Sequence, residues 1–184
     1  INLKVLETFS KIWPKVSLGL SDHTHGDLTV LGAVGLYNCS VVEKHFTLDN
    51  TKIGQDHSFS MMPDEWLSMV ENTETLKKEI KKSDSFEERC QKIKNIAKDG
   101  EFLDLIIGDG VKKLSENEEN TVIVQRRSIR AKRDLSAGII ITNEDLEVLR
   151  PCPKDAFPPH RKNEIIGKQL KRDLPKGDSF TQKE

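Results

Sequence analysis

Two short apolar runs, separated by a longer one, form the first clear pattern in the chain. Residues 16–20 and 40–42 are of β type, and residues 28–36 have the length of a helix and few polar positions. Strand, helix and strand predict a βαβ unit with parallel, adjacent strands, because such crossovers are short and right-handed. His23 and His45 follow the strands and would lie side by side at their carboxyl ends, where α/β folds carry their chemistry.

Helical spacing of apolar residues flanks this unit. Residues 1–13 show it until Pro14, and Pro63 begins a second helix with acidic residues in its first turn. Residues 77–100 are highly charged and have a thin apolar pattern. We interpret them as an exposed helical excursion, and residues 103–114 as one or two further helical turns.

From residue 121 onward the pattern changes to short β-type runs at residues 122–124, 128–131, 139–141 and 146–149. The polar residues 115–120 before them are interpreted as a linker. The sequence Lys-Arg-Asp-Leu occurs at 132–135, followed by Gly138, and again at 171–174, followed by Gly177. This repeat predicts a small β domain with pseudo-twofold character, whose two hairpins turn at the glycines.

Composition narrows the class of protein. The chain has 184 residues, of which 32% are charged and 35% hydrophobic, which is ordinary for a soluble globular protein. No apolar run approaches the ~20 residues of a membrane span, so we expect a cytoplasmic protein without a membrane partner. The three cysteines are widely spaced and lack a Cys-x-x-Cys pair, which favours neither a disulfide framework nor a zinc knuckle.

Charge is unevenly divided along the chain. Residues 121–184 carry an excess of basic side chains, whereas the rest of the chain carries an excess of acidic ones. Few aromatic residues lie among the basic ones, so the pattern is weak evidence for nucleic acid, and we expect no nucleic-acid partner. A phosphorylated or carboxylated small molecule, or an acidic partner surface, fits the basic part equally well.

The two histidines suggest metal chemistry. Two imidazoles on adjacent strand ends, with Asp22, Glu43 and Asp56 nearby in sequence, can hold a divalent cation and leave coordination positions open for substrate oxygen or water. The alternative is that one or both histidines only form hydrogen bonds in a loop. The spacing by itself leaves both interpretations open.

Five ordered motifs carry a resemblance that covers nearly the whole chain. The chain resembles the sialic acid synthase family, the N-acetylneuraminate synthases and their legionaminate and pseudaminate relatives. The motifs are Ser21-Asp22-His23-Thr24, Glu43-Lys44-His45-Phe46-Thr47-Leu48-Asp49, Gly54-x-Asp56-His57-x-x-Ser60, Arg126-Arg127-Ser128-Ile129 and Leu149-Arg150-Pro151.

The resemblance implies an α/β fold in two domains. Residues 1–114 would be the C-terminal portion of a TIM (β/α)8 barrel, with a helical insertion relative to the family near residues 81–100. Residues 121–184 would be a small antifreeze-like (SAF) domain of the β-clip kind. A complete barrel needs ~250 residues, and fewer than 120 precede the β domain here. We therefore expect this chain to be a C-terminal fragment that is inactive by itself.

The implied activity is that of an N-acetylneuraminate synthase-like transferase. It would condense phosphoenolpyruvate with an N-acetylated amino sugar, N-acetylmannosamine or a related sugar, to a nine-carbon nonulosonic acid such as N-acetylneuraminate, and release phosphate. The implied cofactor is a divalent cation, Mn²⁺ or Mg²⁺. His23 and His45 match the metal ligands of the family.

The other implied roles divide between the two substrates. Ser21 matches a residue that contacts phosphoenolpyruvate, and Asp56 matches an acid that faces the sugar. Glu43 would assist proton transfer or orient the attacking water. Arg150 matches the SAF residue that reaches into the partner subunit's barrel in a domain-swapped homodimer and touches the sugar's N-acetyl group.

Two departures from the family pattern and two alternatives accompany this interpretation. Gln55 stands where many members have Pro, and Cys152 where many have Gly, so the loops at the sugar are expected to differ. One alternative is a non-catalytic carbohydrate-binding or assembly module derived from such a synthase. Another is a metal-dependent aldolase of a different barrel family, which would leave the SAF domain and Arg150 unexplained.

Overall fold

A computed structural model describes residues 1–114 and 118–181, and the chain divides into two compact units, Ile1–Lys112 and Lys113–Glu184. Of the linker predicted at residues 115–120, residues 115–117 lie outside the described residues, and residues 119–120 begin a helix. The elements of the first unit are α1 Val5–Ile12, β1 Gly19–Asp22, α2 Leu28–Tyr37, β2 Val41–Lys44, α3 Pro63–Glu79, α4 Phe86–Ile96 and α5 Leu103–Ile107.

The βαβ unit is confirmed. β1 and β2 pair in parallel, with Gly19 opposite Val41 and Asp22 opposite Lys44. Nine of the ten residues of α2 are buried, which agrees with a helix that is apolar on all sides. α2 ends at Asn38, whose left-handed conformation (φ 52°) reverses the chain toward β2. The crossover therefore brings both strand ends to one edge of the sheet.

The core of the first unit lies around α2. Helices α3 and α4 both pack against it, and a Cβ on Gly35 would lie 3.0–3.1 Å from side chains of Leu76, Ile80 and Ile93, so the glycine permits this close approach. Ile93 is fully buried. Helix is confirmed within residues 77–100, at the end of α3 and in α4. The prediction of an exposed excursion is wrong for α4, because Cys90 and Ile93 on its inner face are buried in the core, although Phe86 at its start is exposed.

The described residues of the second unit form an antiparallel strand pair, one α-helix and two 3₁₀ helices, Asn143–Asp145 and Pro159–Glu164. Its elements are α6 Glu119–Gln125, β3 Ser128–Ala131 and β4 Leu146–Leu149. The β-type runs at 128–131 and 146–149 are confirmed, and residue 140 forms an isolated bridge with Gln169. The strand predicted at 122–124 is wrong: three β-branched residues are too few to separate the two periodicities, and they form the middle of α6.

The repeat produces reciprocal bonds. The N–H and C=O groups of Leu135 and Leu174 bond each other in both directions at 2.8–2.9 Å. The carboxylate of Asp134 accepts from the N–H of Lys176, and the carboxylate of Asp173 accepts from the N–H of Ala137, each at 2.8 Å. These pairs exchange under the 39-residue offset, which confirms the pseudo-twofold arrangement. Both predicted turn glycines, 138 and 177, have φ near +90°.

Within residues 1–114 and 118–181, no helix combines the length and the apolar character that crossing a membrane requires.

Candidate active site at the ends of two parallel strands

Four of the six predicted site residues meet at the ends of β1 and β2. Ser21 lies opposite Glu43 in the ladder, and its Oγ donates a hydrogen bond to Glu43 Oε1 at 3.0 Å. The same Oγ lies 3.5 Å from Nε2 of His23. The imidazole rings of His23 and His45 have centroids 4.6 Å apart and an interplanar angle of 67°. Two imidazoles, a hydroxyl and a carboxylate thus share one small area.

An aromatic side chain borders this area. The ring of Phe59 lies 5.0 Å from that of His45 and 6.0 Å from that of His23, measured between centroids. Phe59 comes from a 3₁₀ turn at His57–Phe59 and is half-buried. It gives the two imidazoles an apolar neighbour on one side, while Ser21 and Glu43 provide polar neighbours.

Asp56 lies on the loop that carries this turn. Its carboxylate is exposed and makes no hydrogen bond within the described parts of the chain, so the structure does not link it to the histidines. The loop is anchored one residue later, where Nδ1 of His57 lies 2.8 Å from Oγ1 of buried Thr47. Gly54 leaves room for this imidazole, because a Cβ there would lie 2.6 Å from His57 Cδ2.

Asp22, suggested by the sequence as a neighbouring acid for a cation, is engaged elsewhere. Its carboxylate is fully buried and lies 2.7 Å from Nζ of Lys44, whose side chain is 1% exposed. Side chains alternate along a strand, so Asp22 and Lys44 lie on the face opposite to exposed Ser21 and Glu43. The sequence analysis did not predict this ion pair. The signal that could have revealed it is the pair of opposite charges at the last position of each of the two paired strands.

The nitrogen donors at the two strand ends are the adjacent imidazoles of His23 and His45. Within residues 1–114 and 118–181, no group of three or more His, Cys, Asp or Glu residues is placed to hold a metal ion. The two adjacent imidazoles of His23 and His45 are nitrogen ligands that suit several divalent cations. They fit a cation that takes its remaining ligands from substrate or water, and they do not form a closed structural site.

Arg150 belongs to the second unit and follows the last residue of β4. Its side chain is exposed and forms no hydrogen bond or ion pair within the described residues. The next carbonyl, that of Pro151, accepts hydrogen bonds from Ser128 Oγ at 2.8 Å and from Arg130 Nη2 at 2.9 Å. Strand β3 therefore holds the main chain beside Arg150 and leaves the guanidinium available.

Comparison with known families identifies both parts of the chain. Residues 1–85 match the NeuB family, and residues 126–184 match the SAF domain. This combination defines a synthase-type α/β segment followed by an SAF domain. The chain belongs to the sialic acid synthase family, in agreement with the motifs in its sequence.

Relatives include synthases of several nonulosonic acids. The chain is 34% identical to the N,N'-diacetyllegionaminic acid synthase of Legionella pneumophila over 98% of this chain and 42% of that protein. It is 26% identical to human N-acetylneuraminate-9-phosphate synthase over 92% of this chain and 39% of that one.

A solved structure of the spore coat polysaccharide biosynthesis protein SpsE from Bacillus subtilis also resembles the chain. Its TM-score is 0.69 at 26% identity, and the match covers 98% of this chain and 47% of that one. The chain therefore spans less than half the length of the relatives that it matches.

Proposed function

We propose that the protein containing this chain condenses phosphoenolpyruvate with an N-acetylated amino sugar to a nonulosonic acid and releases phosphate. The observation that carries the proposal is the meeting of Ser21, His23, Glu43 and His45 at two parallel strand ends. Relatives named as legionaminic, pseudaminic and neuraminic acid synthases support this reaction class.

The fold supports a finer proposal about architecture. Residues 1–112 would supply the last two strands of a (β/α)8 barrel, whose other strands lie in the rest of the relatives' length. Gly19, Ser21, Val41 and Glu43 are exposed on one face of the two-stranded sheet, as expected for side chains that would line a barrel interior. Parallel sheets are normally covered on both faces, so this bare face requires a cover.

The proposed mechanism assigns a task to each side chain. His23 and His45 would hold Mn²⁺ or Mg²⁺, which supplies Lewis-acid polarisation of the sugar's aldehyde for attack by C3 of phosphoenolpyruvate. The hydroxyl of Ser21, which now donates to Glu43, would donate instead to an anionic oxygen of phosphoenolpyruvate. Glu43 would then be released to accept a proton or to orient the water that attacks C2.

Two residues would bind the sugar. The exposed carboxylate of Asp56 has no internal partner among the described residues and can accept hydrogen bonds from sugar hydroxyls. Arg150 would bind the N-acetyl oxygen in the site of a partner subunit, in a domain-swapped homodimer. Its unpaired guanidinium on a main chain held by Ser128 and Arg130 supports this role. The cytoplasmic location stays a prediction.

The reaction is tested by phosphate release from phosphoenolpyruvate with N-acetylmannosamine and with 2,4-diacetamido sugars, using the full-length protein. We expect chelation to remove most activity, added Mn²⁺ to restore it, and His23→Ala or His45→Ala to prevent that restoration. His160→Ala is the matched control, because this histidine of the second unit is exposed and lies outside the two strand ends. Undiminished turnover in excess chelator would refute the cation's role.

The trans role of Arg150 is tested separately. One charge-assisted hydrogen bond contributes ~1.5–3 kcal/mol, so Arg150→Ala should weaken use of the amino sugar by at least roughly 10- to 100-fold and spare phosphoenolpyruvate binding. Mixed dimers of Arg150→Ala and His23→Ala subunits should regain one working site per dimer. Confirmed subunit exchange without regained activity would show that Arg150 does not act on the partner's site.

The alternative is a non-catalytic carbohydrate-binding or assembly module. It has the support that the described residues place no third His, Cys, Asp or Glu beside the two histidines, so a cation there would depend on substrate or water for its other ligands. It predicts sugar binding without phosphate release even when the chain is part of the full-length protein. The phosphate assay therefore separates the two functions.

A further inference from the structure

Lys44, the residue before His45, contacts both neighbours of His23. Its Nζ donates to Asp22 Oδ2 at 2.7 Å and also to the carbonyl oxygen of Thr24. The side chains of Lys44 and Asp22 are 1% and 0% exposed, so this ion pair is removed from solvent. One ammonium group thus connects the end of β2 to the side chain of the residue before His23 and to the main-chain carbonyl of the residue after it.

Asp22 closes the turn around His23 from within. Its Oδ1 accepts from the N–H of Thr24 at 3.0 Å and from the hydroxyl of Thr24 at 2.9 Å. Its Oδ2 accepts from Thr29 Oγ1 at 3.0 Å, and Thr29 lies in the first turn of α2. The turn that presents His23 is therefore tied both to α2 and to β2.

The hydrogen bonds of Lys44 and Asp22 lie at the end of the β1–β2 ladder. The last paired residues of β1 and β2 are Asp22 and Lys44, and His23 and His45 follow immediately beyond them. The side-chain bonds at the end of the ladder therefore lie next to both histidines in the chain. Three cross-links, from Lys44 to Asp22, from Lys44 to Thr24 and from Asp22 to Thr24, lie within one residue of His23.

We propose that Lys44 and Asp22 are positioning residues, and that their buried ion pair fixes the separation of the His23 and His45 imidazoles for one shared divalent cation. The inference rests on the proposed function for the cation, but the imidazole geometry can be measured without it. A purely structural ion pair would affect folding stability and would leave metal affinity unchanged in folded molecules. The two roles therefore predict different results.

The test uses the full-length protein and two readouts. The first is the nuclear Overhauser effect between the ring protons of His23 and His45 in metal-free protein, which their 4.6 Å centroid distance should make visible. The second is the affinity for Mn²⁺. The principal variant is the double substitution Lys44→Met with Asp22→Asn, because Lys44→Met alone would leave a carboxylate buried without its cation.

The matched control is Lys92→Met in the same unit, which breaks the ion pair between Lys92 of α4 and Asp84, just before that helix. We expect the double variant to keep a dispersed amide spectrum, lose the imidazole-to-imidazole signal and bind Mn²⁺ at least 10-fold more weakly. The control should retain both readouts. An unchanged signal and an affinity within twofold of the wild type would overturn the proposal.

Two further outcomes keep the inference separate from the proposed function. If the double variant loses the imidazole-to-imidazole signal but the wild-type protein binds no Mn²⁺, the positioning role is supported and the cation's role is contradicted. Should the double variant not fold, Lys44→Arg decides: it keeps the charge but changes the reach, and we expect a folded protein with weakened Mn²⁺ binding. Wild-type affinity in Lys44→Arg would then overturn the proposal.

Discussion

Asp145 is a buried carboxylate whose partners surround it on two sides. It is 2% exposed, and its Oδ2 accepts from the N–H and the hydroxyl of Thr142 at 2.9 and 2.8 Å. Its Oδ1 accepts from Arg133 Nη2 at 2.6 Å. Burial by itself would raise the pKa of Asp145, but the donors from Thr142 and Arg133 together outweigh it and hold the pKa below the usual value for Asp.

This pKa predicts how acid affects stability. A carboxyl whose pKa is lower in the folded state stabilises it above the unfolded-state pKa, ~3.9 for Asp, and that contribution is lost as the pH falls through the folded-state pKa. Asp145→Asn should therefore lower the free energy of unfolding at pH 7 by ~1–3 kcal/mol and by less at pH 3. Urea unfolding at both pH values measures the difference.

The control for this experiment is Asp155→Asn, at an exposed acid of the same unit without a described partner. It should change unfolding little at either pH. If Asp145→Asn lowered stability equally at pH 7 and pH 3, the ionised carboxylate would not be the source of the effect.

The elements formed by long or strongly patterned segments could be predicted from sequence. The mostly apolar residues 28–36 lie between two short apolar runs, and this pattern predicted β1, α2 and β2, because a run of that length and composition between two strands is typical of a buried crossover helix. Short runs could not be assigned in this way. Residues 122–124 form part of α6, and the backbone N–H of Cys152 bonds the carbonyl of Ile123, a contact between distant positions that no local pattern contains.

The candidate site shows the same division. Strand ends placed His23 and His45 together, and the ladder register brought Ser21 to Glu43. The burial of Asp22 could not be predicted, because it depends on which face of β1 packs against α2. Phe59 reaches the imidazoles from a loop 14 residues after His45, a distance over which turn geometry decides the result.

The division of the whole molecule into two units predicts which pieces can fold. A cut after residue 80 would remove Ile93 and Leu103, both fully buried, from the core around α2. Each fully buried Ile or Leu contributes ~1.5–3 kcal/mol, and the bare edges of β1 and β2 add to the loss. We expect residues 1–80 to aggregate or stay loosely folded, and residues 113–184 to fold.

Circular dichroism melts and amide spectra of the two pieces measure this. The second unit has its own core around Ile129, Leu174 and Phe180, all fully buried, and should melt cooperatively. A sharp melt of residues 1–80, or an undispersed spectrum of residues 113–184, would contradict the division.

The reciprocal repeat bonds have a consequence for how the second unit acquires its structure. The turn near residue 137 is held by Asp173, and the turn near residue 176 is held by Asp134, so each turn is completed by a residue of the other repeat. Leu135 and Leu174 exchange both of their main-chain bonds. Neither repeat can therefore form all of its hydrogen bonds before the other has been synthesised. We expect the second unit to complete its folding only after the second repeat has emerged from the ribosome.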